Sequence, residues 1–161
     1  MTALLLLLLA LSEPSVSHLP KCPAIAVRDT KEWISIDRPA SNFSMRIPPD
    51  MKEFQNPLLL CMHGCEEWAR DSFHVLIIYG VWDKSSFGPG DWSVACVDKR
   101  DNLTVVRMIH ENSATIWVVQ EGSTADERGV LLTIRWTSPK DAADANAIIA
   151  SIGRAMPRDR S

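Results

Sequence analysis

Between Trp33 and Thr137 the chain consists of short hydrophobic runs separated by turn residues, a pattern typical of an antiparallel sheet. Phe43–Ile47 alternates apolar and polar residues, which predicts one buried and one solvated face, and alternation also marks the last strand. The sequence predicts about six or seven strands: Trp33–Ile36, Phe43–Ile47, Phe73–Trp82, Trp92–Asp98, Leu103–His110, Ala114–Gln120 and Val130–Thr137.

One of these segments differs from the others because Val75–Tyr79 is apolar at nearly every position. Such a run is typical of a strand that is covered on both faces, so it predicts a central strand. The chain before it is less regular. Leu58–Leu60 is expected to be briefly extended, and Glu66–Asp71 is expected to form one helical turn or none.

A helix is predicted after the last strand. Ser138 stands at the N-cap, Pro139 fits the first helical position, and the Asp141 carboxylate can bond the free backbone donors of the first turn. The apolar residues of this helix share one stripe: Ala145, Ile148, Ile149, Ile152 and Met156.

Polar residues of the same helix, Asp144, Ser151 and Arg154, fall outside the apolar stripe, and Pro157 is expected to end the helix. An apolar stripe of this width has to be buried, and the sheet is the only large partner that the sequence offers. We therefore predict an α+β fold in which the C-terminal helix lies across one face of an antiparallel sheet.

The first residues predict export. Leucine fills positions 4–9, a run too short for a membrane-spanning helix of about 20 residues but as long as a signal-peptide core. Small residues favour cleavage before Glu13, with Ser15–Ser17 as a second possibility. We predict a signal peptide at 1–12, a linker or extended arm at 13–32, a single domain at 33–157 and a tail at 158–161. No transmembrane segment is expected in the mature chain.

The composition is that of one globular domain. Of the 161 residues, 46% are hydrophobic and 23% are charged, which is far from the composition of disordered chains. The formal net charge is -3, and the Lys and Arg residues are scattered along the chain. Because a phosphate-backbone binder needs a basic patch, nucleic acid is not expected as a partner.

Four cysteines in a chain predicted to be exported indicate disulfide bonds. Long closed loops restrict the unfolded chain most, which favours one bridge from the Cys61/Cys65 loop to Cys96 and the other reaching Cys22. A tight loop closed by Cys61 on Cys65 is the alternative. A lipid anchor at Cys22 is disfavoured because the preceding Lys21 is not the small residue that lipidation requires.

The segment Cys61–Cys65 is the most reactive-looking part of the sequence, since it places His63 between two thiols. With His74 or His110 as a fourth ligand it would make a metal-binding module, and with free thiols a thiol-dependent enzyme. Its spacing matches no standard metal motif, and oxidised cysteines are not thiolate ligands. We therefore predict a disulfide loop here, with no catalytic residues, no metal and no cofactor.

Six tryptophans are many for a chain of this length, and exposed aromatic rings can form a platform for a sugar or a partner. Trp136 is in phase with the apolar residues of the last strand, which indicates the core. Trp68, Trp82 and Trp92 instead border two loops. If these loops are neighbours, the three rings and Phe87 would line a ligand-binding groove.

The order of three sequence segments resembles the PsbP-like family, which includes the DcrB-type envelope proteins. These segments are FSMRIPP at Phe43–Pro49, LTIRW at Leu132–Trp136 and IASI at Ile149–Ile152. The resemblance covers roughly Trp33–Met156 and implies an antiparallel sheet sandwiched by helices. It also implies a non-catalytic accessory or binding protein, although fold alone does not fix function.

The sequence hypothesis is therefore an exported domain, periplasmic, extracellular or attached to the cell envelope, that binds an unknown protein or small ligand.

Overall fold

The computed structural model describes residues 16–26, 28–54, 64–81, 87–120 and 128–155. Strands precede the longer helix, which confirms the α+β class. The elements are a 3-10 turn at Val16–His18, β1 (Ile34–Arg38), a 3-10 turn at Pro39–Ser41, β2 (Phe43–Ile47), β3 (Lys52–Phe54), β4 (Cys65–Arg70), β5 (Phe73–Val81), α1 (Pro89–Ser93), β6 (Ala95–Arg100), β7 (Leu103–His110), β8 (Ser113–Gln120), β9 (Arg128–Arg135) and α2 (Pro139–Ser151).

Seven of the strands form one antiparallel sheet in the order β3-β4-β5-β9-β8-β7-β6, and β1 pairs only with β2 in a separate hairpin. The last strand of the chain, β9, lies at the centre because it pairs with both β5 and β8. The predicted central strand, β5, is an interior strand next to it. The two early strands that were predicted as part of the sheet form the separate hairpin.

The larger hydrophobic core lies on one face of the sheet, which we call the helix-bearing face. The apolar stripe of α2 and the β1–β2 hairpin pack there against alternate residues of β5, β7, β8 and β9. The opposite face carries a smaller cluster of Ala95, Val106, Met108, Trp117 and Val119, with Val16, Leu19 and Trp92 packed against it. The predicted position of the C-terminal helix on one sheet face is confirmed.

Strand β5 is less enclosed than its sequence predicts. Phe73, Val75 and Ile77 are fully buried on the helix-bearing face, whereas Leu76 and Ile78 on the opposite face are only partly buried. Among the described residues, β5 is therefore covered more completely on the helix-bearing face than on the opposite face. In the part of the chain that the structure describes, the larger layer lies on the helix-bearing face.

The segment 65–70 is a strand, not the helical turn that was considered for Glu66–Asp71. Its register against β5 places Trp68 opposite Val75 and Glu66 opposite Ile77. Long-range pairing with β5 thus decides a conformation that local sequence leaves open. Similarly, Trp92 lies in the short helix α1 and not at the start of a strand.

The helix α2 begins as predicted, since the Ser138 hydroxyl accepts a hydrogen bond from the backbone N–H of Asp141 at 3.1 Å. It ends at Ser151, six residues before Pro157. The reason is a backbone pairing in which Ser44 and Gly153 exchange two hydrogen bonds of 2.8 and 2.9 Å. This pairing takes the chain away from the helix and along β2.

One polar residue of α2 is placed differently from the prediction. Asp144 was expected outside the buried stripe, but its side chain is only 3% exposed. It is buried because Arg70 of β4 and Arg28 of the preceding arm both bond its carboxylate. The residues of the predicted signal peptide, Leu58–Leu60, Met156 and the predicted tail lie outside the described residues.

Candidate functional site

A cleft of about 530 Å³ lies between the segment that precedes β1, the edge strand β6 and the end of α2. We call this cleft the arm cleft, and we call residues 16–32 the arm. The arm cleft is lined by Lys21, Cys22, Pro23, Ala24, Ile25, Asp98, Lys99, Arg100, Arg107 and Ala150.

The arm is fixed to the sheet edge by backbone pairing. Cys22 donates its N–H to the carbonyl of Val97 at 3.0 Å, and Val97 donates to the carbonyl of Pro20 at 2.8 Å. This short parallel bridge extends the sheet beyond β6. Further along, Ile25 packs against the larger core, so the arm crosses the helix-bearing face.

A disulfide bond joins Cys22 to Cys96, 74 residues apart, with a Cα–Cα distance of 4.8 Å. Cys65 is also disulfide-bonded, and Cys61 lies outside the described residues. The favoured connectivity, in which Cys96 pairs with the Cys61/Cys65 loop, is therefore wrong. The arm places Cys22 beside β6. The argument from loop length considers only separation along the chain and therefore misses this proximity. With its sulfur bonded to Cys96, Cys22 has no thiol for a lipid.

Arg107 of β7 forms the floor of the arm cleft and is only 2% exposed. It alternates in phase with Leu103 and Val105, which pack in the larger core, so its side chain lies on the helix-bearing face. Its Nη2 donates to Asp98 at 2.6 Å and to the carbonyl of Pro23 at 3.1 Å. Its Nε and Nη1 are buried and have no hydrogen-bond partner among the described residues.

The surroundings of Arg107 lower its pKa. Burial lowers the pKa of Arg107, the Asp98 carboxylate acts in the opposite direction, and the positive charge of Arg100 lowers it further. Arginine stays protonated at any physiological pH. The guanidinium is therefore a buried cation whose charge is only partly compensated.

Arg100 joins β6 to the end of α2. Its Nη1 donates to the carbonyls of Ile149, Ala150 and Ile152 at 2.8, 3.2 and 3.0 Å, and its Nη2 donates to Asp98 at 3.2 Å. These bonds satisfy carbonyl groups that the helix leaves free at its C-terminus. Arg100 thus builds one wall of the arm cleft.

The lining of the arm cleft is rich in positive charge. Lys21, Arg100 and Arg107 contribute cations, and among the described lining residues Asp98 contributes the single carboxylate. This carboxylate is shared by both arginines. A cleft with an excess of cations over a floor of low dielectric constant attracts anions.

Three of the four aromatic residues predicted to line a groove are among the described residues, and these three do not share one face of the sheet. Trp68 lies on the helix-bearing face, opposite Val75, and packs against the larger core. Phe87 and Trp92 pack on the opposite face, with ring centroids 5.5 Å apart. Trp82 lies outside the described residues. The sheet thus separates Trp68 from the other two, because strand register decides the face and sequence position does not.

Phe87 also lies 5.6 Å from Trp117, so the aromatic residues of the opposite face form a packed cluster. The histidines considered as metal ligands are apart from one another and lie beside carboxylates, His74 with Glu67 and His110 with Asp91. Within the described ranges, no three His, Cys, Asp or Glu side chains group as metal ligands. Cys61 and His63 lie outside these ranges.

The arm cleft was missed at the sequence level, although one sign of it is present in the sequence. In β7, Leu103 and Val105 face the larger core, and Arg107 follows in the same phase. A cation at a core position of a strand needs a partner, because burial of an unpaired charge is costly. The partners, Asp98 and the arm, are supplied only by the tertiary structure.

Comparisons with known proteins give little further information. No protein-family model matches this chain, and no curated protein matches it. A crystal structure from Bacteroides thetaiotaomicron VPI-5482 is similar at 15% sequence identity with a TM-score of 0.46. The match covers 77% of this chain and 48% of that chain, so this chain spans about half the length of the other.

In the part of the chain that the structure describes, no helix is both long and apolar enough to cross a membrane.

Proposed function

We propose that this protein is an exported, non-catalytic binding or assembly accessory domain, and that the arm cleft is its ligand site. The observation that carries the proposal is the buried Arg107 on the floor of a cleft of about 530 Å³. This volume is within the range of small-molecule sites, which bring a few polar groups together in a concave surface.

Export is supported by the disulfide bonds, because such bonds persist in oxidising compartments. The run of leucines at positions 4–9, which predicts a signal peptide, also supports export. The compartment is therefore proposed to be the periplasm, the cell envelope or the outside of the cell.

A non-catalytic role is supported by the state of Cys65. Because its sulfur is disulfide-bonded, it supplies neither a thiolate nucleophile nor a thiolate metal ligand. The arginines and lysines of the arm cleft are suited to binding and orienting a ligand. Kinship with the PsbP-like family belongs to the same proposal, since an antiparallel sheet with a C-terminal helix is compatible with it and also with unrelated α+β folds.

The proposal is tested by filling the arm cleft. Ala24 is exposed and lines the cleft, whereas Ala26 is exposed on the same arm and is not part of the lining. Ligand-detected NMR with a panel of neutral sugars, amino acids, acidic metabolites and short peptides should identify binders of the wild-type protein. Ala24→Trp should abolish their binding, and Ala26→Trp should leave it intact.

Two results would refute the proposed site. One is binding of the same molecules to wild-type protein and to Ala24→Trp with equal affinity, which would place the ligand elsewhere. The other is the absence of any binder in the panel and in extract of the native envelope. Circular dichroism of both variants shows whether the fold is retained, so that a loss of binding is not mistaken for unfolding.

A further inference from the structure

We propose that the arm cleft binds an oxyanion group of its ligand, a carboxylate or a phosphoryl group, through Arg107 at its floor and Lys21 at its mouth. This inference rests on the proposed function and specifies the ligand chemistry of the same site.

The first argument is the unused hydrogen-bonding capacity of Arg107. Only Nη2 has partners, namely Asp98 and the carbonyl of Pro23, while Nε and Nη1 have none among the described residues. Buried donors without a partner are rare in folded proteins. An oxyanion accepts hydrogen bonds from a guanidinium and compensates its charge at the same time.

A second arginine, Arg70, is partly buried and shows what a purely structural role looks like in this fold. Arg70 donates from Nη1 to Asp50 and from Nη2 to Asp141 and Asp144, all between 2.7 and 2.8 Å. Both of its terminal nitrogens therefore have carboxylate partners. Arg107 has one carboxylate partner, whereas Arg70 has three. Of the two arginines, Arg107 is the one that lines the arm cleft.

The third argument is the charge of the lining. Asp98 is the single carboxylate of the arm cleft, and it already bonds Arg100 and Arg107. Lys21 is exposed on the arm, where its ammonium adds a positive charge at the mouth. An incoming anion therefore meets Arg107 and Lys21, and among the described lining residues it meets no uncommitted carboxylate.

The test observes Arg107 directly. Protein labelled with ¹⁵N-arginine, oxidised and otherwise full-length after the predicted cleavage, is titrated with inorganic phosphate, with acetate and with glycerol at constant ionic strength. Arg107→Lys assigns the Nε–H resonance by its disappearance. The Nε–H resonance of Arg107 should shift on addition of phosphate or acetate in a saturable manner and should not respond to glycerol.

Lys21→Gln and Lys52→Gln are the matched variants, since both lysines are exposed and only Lys21 lines the cleft. Lys21→Gln should weaken anion binding at least threefold, and Lys52→Gln should leave it unchanged. The inference is overturned if neither anion moves the Arg107 resonance, if glycerol moves it equally, or if the two variants bind alike. All of these outcomes are measured on proteins that keep Arg107.

The two proposals fail in different ways. If neutral molecules bind and are blocked by Ala24→Trp while phosphate and acetate leave Arg107 unaffected, the oxyanion inference is wrong and the proposed site stands. If nothing binds in a manner sensitive to Ala24→Trp, both are wrong.

Discussion

Arg70 of β4 and Asp144 of α2 form a partly buried ion pair, with 2.8 Å between Nη2 and Oδ2. The side chains are 12% and 3% exposed. Arg28 bonds the other oxygen of Asp144 at 2.6 Å from the arm. Three parts of the chain, the sheet, the helix and the arm, are thus joined at one carboxylate.

We predict that Asp144→Ala destabilises the protein strongly. The change removes the charge-assisted hydrogen bonds that this carboxylate accepts from Arg70 and Arg28, while Asp50 and Asp141 still hold Arg70, so it should cost about 1.5–3 kcal/mol. Urea unfolding measures the change. Arg28 is 56% exposed at its side chain, so Arg28→Ala should cost less than about 1 kcal/mol. Equal losses of stability in Asp144→Ala and Arg28→Ala would contradict the conclusion that the Arg70–Asp144 pair contributes more than the Arg28–Asp144 pair.

A second prediction concerns the arm disulfide. Replacement of Cys22 and Cys96 by serine opens a link between residues 74 positions apart, and the free energy of unfolding should fall by about 2–4 kcal/mol. Non-reducing peptide mapping of the wild-type protein should recover Cys22 linked to Cys96. Recovery of Cys96 linked to Cys61 or Cys65 would refute this pairing.

Gly129 provides a third prediction, because the central strand has no room for a side chain there. A Cβ atom at this position would lie 2.9 Å from the carbonyl oxygen of Val118 and 3.0 Å from Nε1 of Trp117. Gly129→Ala should therefore lower the free energy of unfolding by about 1–3 kcal/mol. Gly90 of α1 has nothing within 4 Å of such an atom, so Gly90→Ala is the matched control and should cost nothing.

The fourth prediction is a pH dependence at Asp141. A hydrogen bond from the Ser138 hydroxyl, with a further one from Arg70, lowers the pKa of Asp141. A carboxylate with a lowered pKa stabilises the fold above its unfolded pKa of about 4 and loses this contribution as the pH falls through its folded pKa.

Asp141→Asn should therefore reduce stability at pH 7 and lose this disadvantage progressively below about pH 4. Chemical unfolding at several pH values checks the difference between the two proteins. Ser138→Ala should move the pKa of Asp141 back toward its ordinary value in a carboxyl NMR titration. A stability difference that is constant from pH 7 to pH 3 would contradict this account.

Local sequence is sufficient where an element depends on its own residues. The N-terminus of α2 follows from Ser138, Pro139 and Asp141, since capping involves atoms only three residues apart. Strand β2 has the predicted bounds Phe43–Ile47 because a period-2 pattern ends at two prolines. The α+β class follows from the order of these elements.

Local sequence is insufficient where two distant segments compete for or share a partner. The helix α2 ends early because Gly153 pairs with Ser44, and the 65–70 segment is a strand because β5 lies beside it. Trp68 is separated from Phe87 and Trp92 by the sheet, which proximity in sequence does not reveal. Each of these differences comes from a contact across the fold.

By itself the amino-acid sequence determined the alternation that makes the strands, the stripe that buries α2 and the even number of cysteines. The tertiary structure decided which cysteine pairs with Cys96, which face each tryptophan occupies and where Arg107 finds its charge partner. Hydrophobic periodicity is a local property of the chain, whereas a disulfide, an ion pair and a cleft need groups from remote positions to meet.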